Sequence, residues 1–373
     1  MVIKSLSVVN FRNFESAEIN FNERLNIVIG ENGQGKTNII EAIFLLAERE
    51  SFRYSKNENL IQLRKTQAAI HSRILNGNLD YKVSLKISAH KKDFLVNEKS
   101  MAANRIPKFS VVLFSPESLS IIKESSDERR QLVDQLIEQV VANGAEIIYD
   151  YKKVLKTRNK LLKDIAEEKI KYQLGLDTLE SINTIFLKRA AEVTSLRINI
   201  LNELQPEVET ALNKINTTGS AKFDFDYIIS EKNHKNSDLE TIIEALRNRM
   251  KYLEIAEIKS GVSLVGPQKH DVIFLYNGND SRFYCSQGQQ RSIILAYKMA
   301  QIVYHQRIHG FYPLLLLDDV LSELDLLKQE SLISTLNQTE TQTFVTTTDV
   351  LLLSKLSMNR ASVFKIQNGQ VIV

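Results

Sequence analysis

Two segments near opposite ends of the chain must come together, and that requirement limits the fold more than any other feature. Gly30-Glu31-Asn32-Gly33-Gln34-Gly35-Lys36-Thr37 has the spacing G-x-x-x-x-G-K-[ST]. An apolar run, Leu25-Asn26-Ile27-Val28-Ile29, feeds it. A helical pattern from Asn38 to Glu50 follows, with Ile39, Ile40, Ile43, Leu46 and Ala47 as its apolar positions. Strand, glycine loop and helix make a cradle for phosphate, because the glycines allow turns tight enough to aim successive backbone N–H groups at one oxyanion. All eight loop residues are therefore candidate nucleotide contacts, with Lys36 charging the β- and γ-phosphates and Thr37 Oγ placed to ligate Mg²⁺. The other half lies at Leu314-Leu315-Leu316-Leu317-Asp318-Asp319. Its apolar run suits a strand buried on both faces of a parallel sheet. Asp318, at the strand's carboxyl end, is expected to hold Mg²⁺ through water, and Asp319 to orient or deprotonate the attacking water. Alone this would read as a core strand ending in a solvated acidic turn; beside the glycine loop it is the second half of an ATP site.

Three further segments fall in the order such a site needs. Ser286-Gln287-Gly288-Gln289 opens a helix expected from Gln289 to Gln306. Taken singly, it reads equally as a polar loop with a helix cap. Its position ahead of the Leu314 strand is that of an ABC-type signature, where Ser286 and the helix N-terminal amides would clasp a γ-phosphate held by another subunit. Ser322-Glu323-Leu324-Asp325 fits a loop crossing a nucleotide-sandwich dimer, and Thr346-Thr347-Thr348-Asp349 follows the next strand, where a switch residue belongs.

The 373 residues suffice for more than one core, and 43% hydrophobic with 25% charged residues is ordinary for a soluble protein. No apolar run approaches a membrane span, and Met1 to Ser7 lacks the apolar core of a signal peptide. The single cysteine, Cys285, excludes an internal disulfide framework and fits a reducing cytoplasm. A net charge of +3 does not announce nucleic acid. Local distribution does more: Tyr151 to Lys163 holds six basic residues and no acid. On a helix Lys152, Lys156, Lys160 and Lys163 form a stripe, with Lys153 beside it. Val154, Leu155, Leu161, Leu162 and Ile165 form the apolar side. A stripe of this kind is either a solvated face or a surface for a phosphate backbone.

The expected class is α/β: an ABC-type P-loop ATPase head with a mixed sheet lobe, plus a mostly helical second lobe. The head takes residues 1–118 and 255–373, and the lobe takes 119–254, facing DNA or a partner. Strand alternation marks the first segment, including a hairpin over Ala69–Leu75 and Tyr81–Ile87 about an Asn76-Gly77 turn. From Glu128 the pattern becomes helical, without three or four sustained heptads.

These motifs, with Asn10-Phe11-Arg12-Asn13-Phe14, Phe114-Ser115-Pro116-Glu117, Lys156 to Lys163, Gly266-Pro267 and Val320-Leu321-Ser322-Glu323-Leu324-Asp325, resemble the bacterial RecF family over nearly the whole chain. That family is related to the Rad50 and SMC heads. The resemblance implies ATP-dependent homodimerisation and binding of DNA at gaps or single-strand/double-strand junctions. It also implies action with RecO and RecR to load RecA in recombinational repair and the SOS response. ATP hydrolysis would be slow and DNA-stimulated, a switch without chemistry on DNA. The chain departs from the family twice. Where relatives read Gly-Pro-His-Arg-Asp-Asp, it has Gly266-Pro267-Gln268-Lys269-His270-Asp271, so the first histidine's role does not carry over. After Phe114 it has Ser115-Pro116-Glu117 instead of a Q-loop glutamine. Rival classes fit less well: an ATPase-coupled nuclease needs a further metal-binding domain, an SMC-type arm needs a long coiled coil, and a transporter ATPase needs a membrane subunit. A small-molecule kinase needs neither the Ser286 nor the Ser322 segment.

Overall fold

The computed structural model of the chain is described over residues 2–53, 55–76, 79–100, 110–216, 219–348 and 361–372. In chain order its first elements are β1 (Val2–Phe11), β2 (Phe14–Asn20), β3 (Leu25–Ile29), α1 (Lys36–Glu48), α2 (Asn57–Leu60), β4 (Gln67–Asn76), β5 (Leu79–Ser88), β6 (Lys91–Val96), β7 (Lys99–Ser100), β8 (Val111–Phe114) and α3 (Pro116–Leu119). Next come α4 (Ser126–Val140), α5 (Gly144–Ala166), α6 (Tyr172–Ile215), β9 (Phe223–Ile229), β10 (Lys232–Asn233), α7 (Leu239–Ser260), β11 (Asp271–Tyr276), β12 (Asn279–Asp280), α8 (Ser281–Tyr284) and α9 (Gln287–His309). They are followed by β13 (Leu314–Asp318), α10 (Leu326–Gln338), β14 (Thr343–Thr347), β15 (Ala361–Gln367) and β16 (Gln370–Ile372). The chain divides into two compact units, residues 1–119 with 301–373 and residues 120–300, so the division falls inside α9.

The first unit is built on two six-stranded sheets. Alternation at the N-terminus produces an antiparallel sheet in the order β2-β1-β4-β5-β6-β7, with Ile3, Leu6, Val8 and Phe11 turned to the core. The apolar runs of β3, β8 and β13 belong to the other, ordered β16-β15-β3-β14-β13-β8, in which every pairing except β15 with β16 is parallel. Both faces of β13 are buried, as its four leucines require. Helix α1 packs on β8, β13 and β14 and also on β5, which explains why it is apolar on nearly every side rather than along one stripe. Register sets Asp318 opposite Thr346 and Thr347 opposite Ile29. The carboxyl ends of β13, β14 and β3 thus share one edge, where open parallel sheets place ligands.

In the second unit α5, α6 and α7 pack on one another, and β9 and β11 form the centre of a four-stranded sheet ordered β10-β9-β11-β12. The alternation Phe223, Phe225, Tyr227, Ile229 buries one face of β9 against this bundle. Residues 255–300, expected with the head, belong to this unit instead. Two contacts account for the difference. Strand β11 pairs with β9 from Asp271↔Ile228 to Tyr276↔Phe223, and α7 runs on to Ser260 along α5 and α6. One member of the basic run is also not on the surface. The Arg158 side chain is 1% exposed, and its guanidinium is bidentate to Glu257 at 2.9 and 2.7 Å.

Candidate functional site

The glycine loop joins β3 to α1 as the motif requires. Gly33 and Gly35 have φ of 79° and 118°, where a side chain would be strained. At Gly35 a Cβ would also lie 2.8 Å from the Asn13 amide, and at Gly30 one would lie 2.5 Å from the Ile366 carbonyl oxygen. The loop is therefore pressed between the β1–β2 turn and β15, and it has no room for side chains at these points. No side chain caps α1 and no acid stands in its first turn, so its positive end is left for an outside anion. Glu31, Asn32 and Gly33 are exposed, Gln34 and Thr37 are half-buried, and Lys36 is buried.

The Lys36 ammonium reaches the Glu31 carbonyl oxygen at 3.2 Å and Asp319 Oδ2 at 3.6 Å. Asp318 is buried at the end of β13, and Thr346 organises the acidic pair. The Thr346 hydroxyl donates to Asp318 Oδ1 at 2.8 Å and accepts from the Asp319 N–H at 2.9 Å. Asp319 is left-handed, φ 48°, a conformation that Asp tolerates better than most residues, and its carboxylate faces Lys36. Burial pushes the Asp318 carboxyl up to about 6, against the hydroxyls of Thr346 and Thr37 and the charge of Arg53, which hold it down; Asp319 pushes it further up. A buried carboxylate flanked by the Thr37 and Thr346 hydroxyls is the kind of oxygen donor set that a hydrated Mg²⁺ would complete. The buried ammonium and the uncapped helix end likewise fit a polyphosphate. The residues present thus suit ATP with Mg²⁺.

Several braces of the loop come from residues to which the sequence assigned no role at the site, although Arg12 and Asn13 lie in the Asn10–Phe14 motif. Asn13 Nδ2 donates to the Gln34 carbonyl at 2.7 Å, and Asn13 Oδ1 accepts from Asn38 Nδ2 at 2.8 Å. The Gln34 carbonyl also accepts from the Gly369 N–H in the β15–β16 turn at 3.3 Å. Arg12 forks onto Glu41 of α1 at 2.6 and 2.8 Å, fixing the β1–β2 turn to the helix behind the loop. Arg53 is exposed, donates to Asn38 Oδ1 at 3.2 Å and acts electrostatically on Asp318. It lies in an irregular segment, where spacing carries no signal. Thr346 and Thr347 are at the end of β14, while Asp349 lies outside the described residues.

Ser286 to Gln289 is in the second unit. Ser286 Oγ accepts from the Gln289 N–H at 3.2 Å, and the Ser286 N–H donates to Gln289 Oε1 at 2.8 Å, a reciprocal capping box at the start of α9. The helix-cap and signature readings are thus compatible. The hydroxyl keeps its own proton to donate, and Ser286, Gln287 and Gly288 are exposed. In α5, Lys152, Lys153, Lys156, Lys160 and Lys163 are all exposed. Among the described residues only Lys163 of these five is in ion-pair range of an acid, Glu167 at 3.7 Å. No helix among the described residues is long and apolar enough to cross a membrane.

The chain has known relatives in both sequence and fold. The sequence model of the family described as RecF/RecN/SMC N terminal domain matches residues 2–371. The chain is 35% identical over 378 residues to the DNA replication and repair protein RecF of Bacillus velezensis, covering all of both chains. It is also 35% identical over 375 residues to the Bacillus subtilis RecF, again over the full length of both. The solved structure of the recombination mediator protein RecF with ATP, from the RecFOR pathway, matches at TM-score 0.87 and 31% identity over 100% of this chain and 97% of that one. An Smc head bound to the C-winged helix domain of ScpA shares the fold at TM-score 0.58 and 14% identity, over 100% and 97% of the two chains. Matched from end to end in sequence and in fold, the chain belongs to the RecF family.

Proposed function

We propose that this chain is an ATP-dependent DNA-binding protein of replication and recombinational repair. It would act in the cytoplasm as an ATP-gated dimer on gapped DNA or single-strand/double-strand junctions. With RecO and RecR it would promote RecA loading during the response to DNA damage. The observation that carries the reading is the meeting of Lys36, Asp318 and Asp319 around Thr346 at one edge of the parallel sheet. Membership of a family whose solved relative is a recombination mediator with bound ATP supports the pathway.

In this reading the loop amides and Lys36 bind the β- and γ-phosphates, and Thr37 with Asp318 holds Mg²⁺. The metal ion supplies charge neutralisation on the phosphate oxygens. Asp319, turned toward the site, orients a water or takes its proton. Ser286 and the first amides of α9 serve the site of a second copy, so each γ-phosphate has donors from two chains. Binding energy then closes the dimer on DNA, and slow hydrolysis reopens it.

Lys152, Lys153, Lys156 and Lys160 of α5, none of them within ion-pair range of an acid among the described residues, offer the DNA a basic face. The test is binding to gapped, single-stranded and duplex DNA, with and without ATP, across a salt series. Lys152, Lys156 and Lys160 replaced together by Ala should weaken binding to all three and reduce the log–log salt slope by about 2 to 3. An unchanged slope would remove the stripe from the DNA surface, and no ATP dependence in the wild type would contradict the gated mode.

A further inference from the structure

A cleft of about 380 Å³ in the second unit lies between the β9–β10 turn and α7 and is used by nothing described above. Ser230 and Glu231, both left-handed at φ 50° and 70°, turn the hairpin tightly, so Lys232 and His234 line one wall. Helix α7 lines the other with Glu244, Asn248, Arg249 and Tyr252. Among the described residues neither Lys232 nor Arg249 is within ion-pair distance of a carboxylate. The Arg249 guanidinium instead lies 5.5 Å from the centroid of the Tyr252 ring. That ring belongs to a side chain 79% exposed, and Ile255, one turn further along α7, is 70% exposed. His234 adds no charge near neutral pH. Partial burial and then Lys232 hold its pKa below the ordinary value, and its Nδ1 lies 3.0 Å from Ser237 Oγ.

Two cations that lack a carboxylate partner among the described residues, beside an exposed aromatic ring, form the pairing that recognises a nucleotide: charge for the phosphate and a π-face for the base. We propose that this cleft holds one nucleotide of a single-stranded DNA segment, with Lys232 and Arg249 on its phosphate and the Tyr252 ring under its base. The inference rests on the DNA-binding reading above and adds a second contact that is selective for strand type. A duplex offers no free base face to Tyr252. A free mononucleotide would not account for the open cleft, whose exposed apolar strip runs on to Ile255. Glu244 in the same wall repels a phosphate, so it sets a limit on affinity that its neutralisation should lift.

The experiment is fluorescence anisotropy of the full chain with labelled oligo-dT, a duplex of equal length, and dTMP as competitor, over a salt series. Tyr252→Ala should weaken oligo-dT binding roughly ten- to a hundredfold and leave the duplex unaffected, while Tyr252→Phe stays near wild type. Lys232→Ala with Arg249→Ala should lower the oligo-dT salt slope by about 0.7 per cation removed, and Glu244→Gln should tighten binding. If Tyr252→Ala and the double variant bind oligo-dT like the wild type while the α5 lysine variant loses DNA, this inference alone falls. If dTMP displaces oligo-dT as effectively as unlabelled oligo-dT does, the cleft is a mononucleotide site and the strand reading is wrong. If the wild type binds no DNA in any form, the proposed function falls and this contact with it.

Discussion

Asp318 shows at the residue scale how a functional group is held at a cost to the fold. Its carboxyl is raised from an ordinary 3.8 to about 6, chiefly by burial. Between these values the unfolded chain has released the proton while the folded one keeps it. Stability contributed by the protonated group is therefore full below about pH 4, falls as pH rises, and is gone above about 6. Asp318→Asn should remove that loss. Its melting temperature relative to wild type should rise between about pH 4 and 6 and stay a few degrees higher above that, for a gain on the order of 2–3 kcal/mol. The same variant should lose Mg²⁺-dependent nucleotide binding. A flat difference across this pH range in calorimetric melts would mean that Asp318 is not held protonated by burial. The strain is local and functional, since a bound divalent cation would favour the ionised form.

At the scale of elements, the second unit is fastened by charge as well as by apolar packing. Arg158 of α5 is bidentate to Glu257 of α7 and donates to Ser263 Oγ at 2.7 Å and, through Nε, to Asn183 Oδ1 of α6 at 2.8 Å. Its guanidinium also lies 4.9 Å from the Phe186 ring centroid. Removing the carboxylate leaves a buried cation without its counter-charge. Glu257→Gln should therefore cost about 3–5 kcal/mol in urea unfolding, and Arg158→Met with Glu257→Met should recover much of that loss. A loss under 1 kcal/mol would show that the pair does not fasten the three helices. This pair marks where the sequence stops being legible. Periodicity placed Arg158 within a helix, but the residue that draws it inward comes 99 positions later. For the same reason the strand and helix patterns after residue 254 were readable, whereas their membership of the second unit was not: it depends on β11 pairing with β9. The glycine loop and the apolar run before Asp318 were legible because each needs only its own neighbours. The segments that hold Asn13 and Thr346 stood out in the sequence, but what these two residues bind did not, and Arg53 acts on that site through a tertiary contact that no local spacing encodes.

For the whole molecule, the arrangement of donors points to assembly. Lys36, Asp318 and Asp319 converge within the first unit, while the capped, exposed start of α9 at Ser286 belongs to the second. If that helix end completes the nucleotide site of another copy, the oligomeric state must depend on ATP and on both sets of residues. Sedimentation velocity with and without ATP, on wild type, Lys36→Ala, Ser286→Arg and Asp319→Asn, tests this most directly. Ser286→Arg also removes a helix cap worth about 1 kcal/mol, so its melting temperature and ATP binding are measured alongside. Wild type should form a dimer when ATP is added, and Asp319→Asn a dimer that persists. Lys36→Ala should be monomeric for want of nucleotide, and Ser286→Arg monomeric despite binding it. One sedimentation coefficient for all four proteins, unchanged by ATP, would rule out ATP-gated assembly.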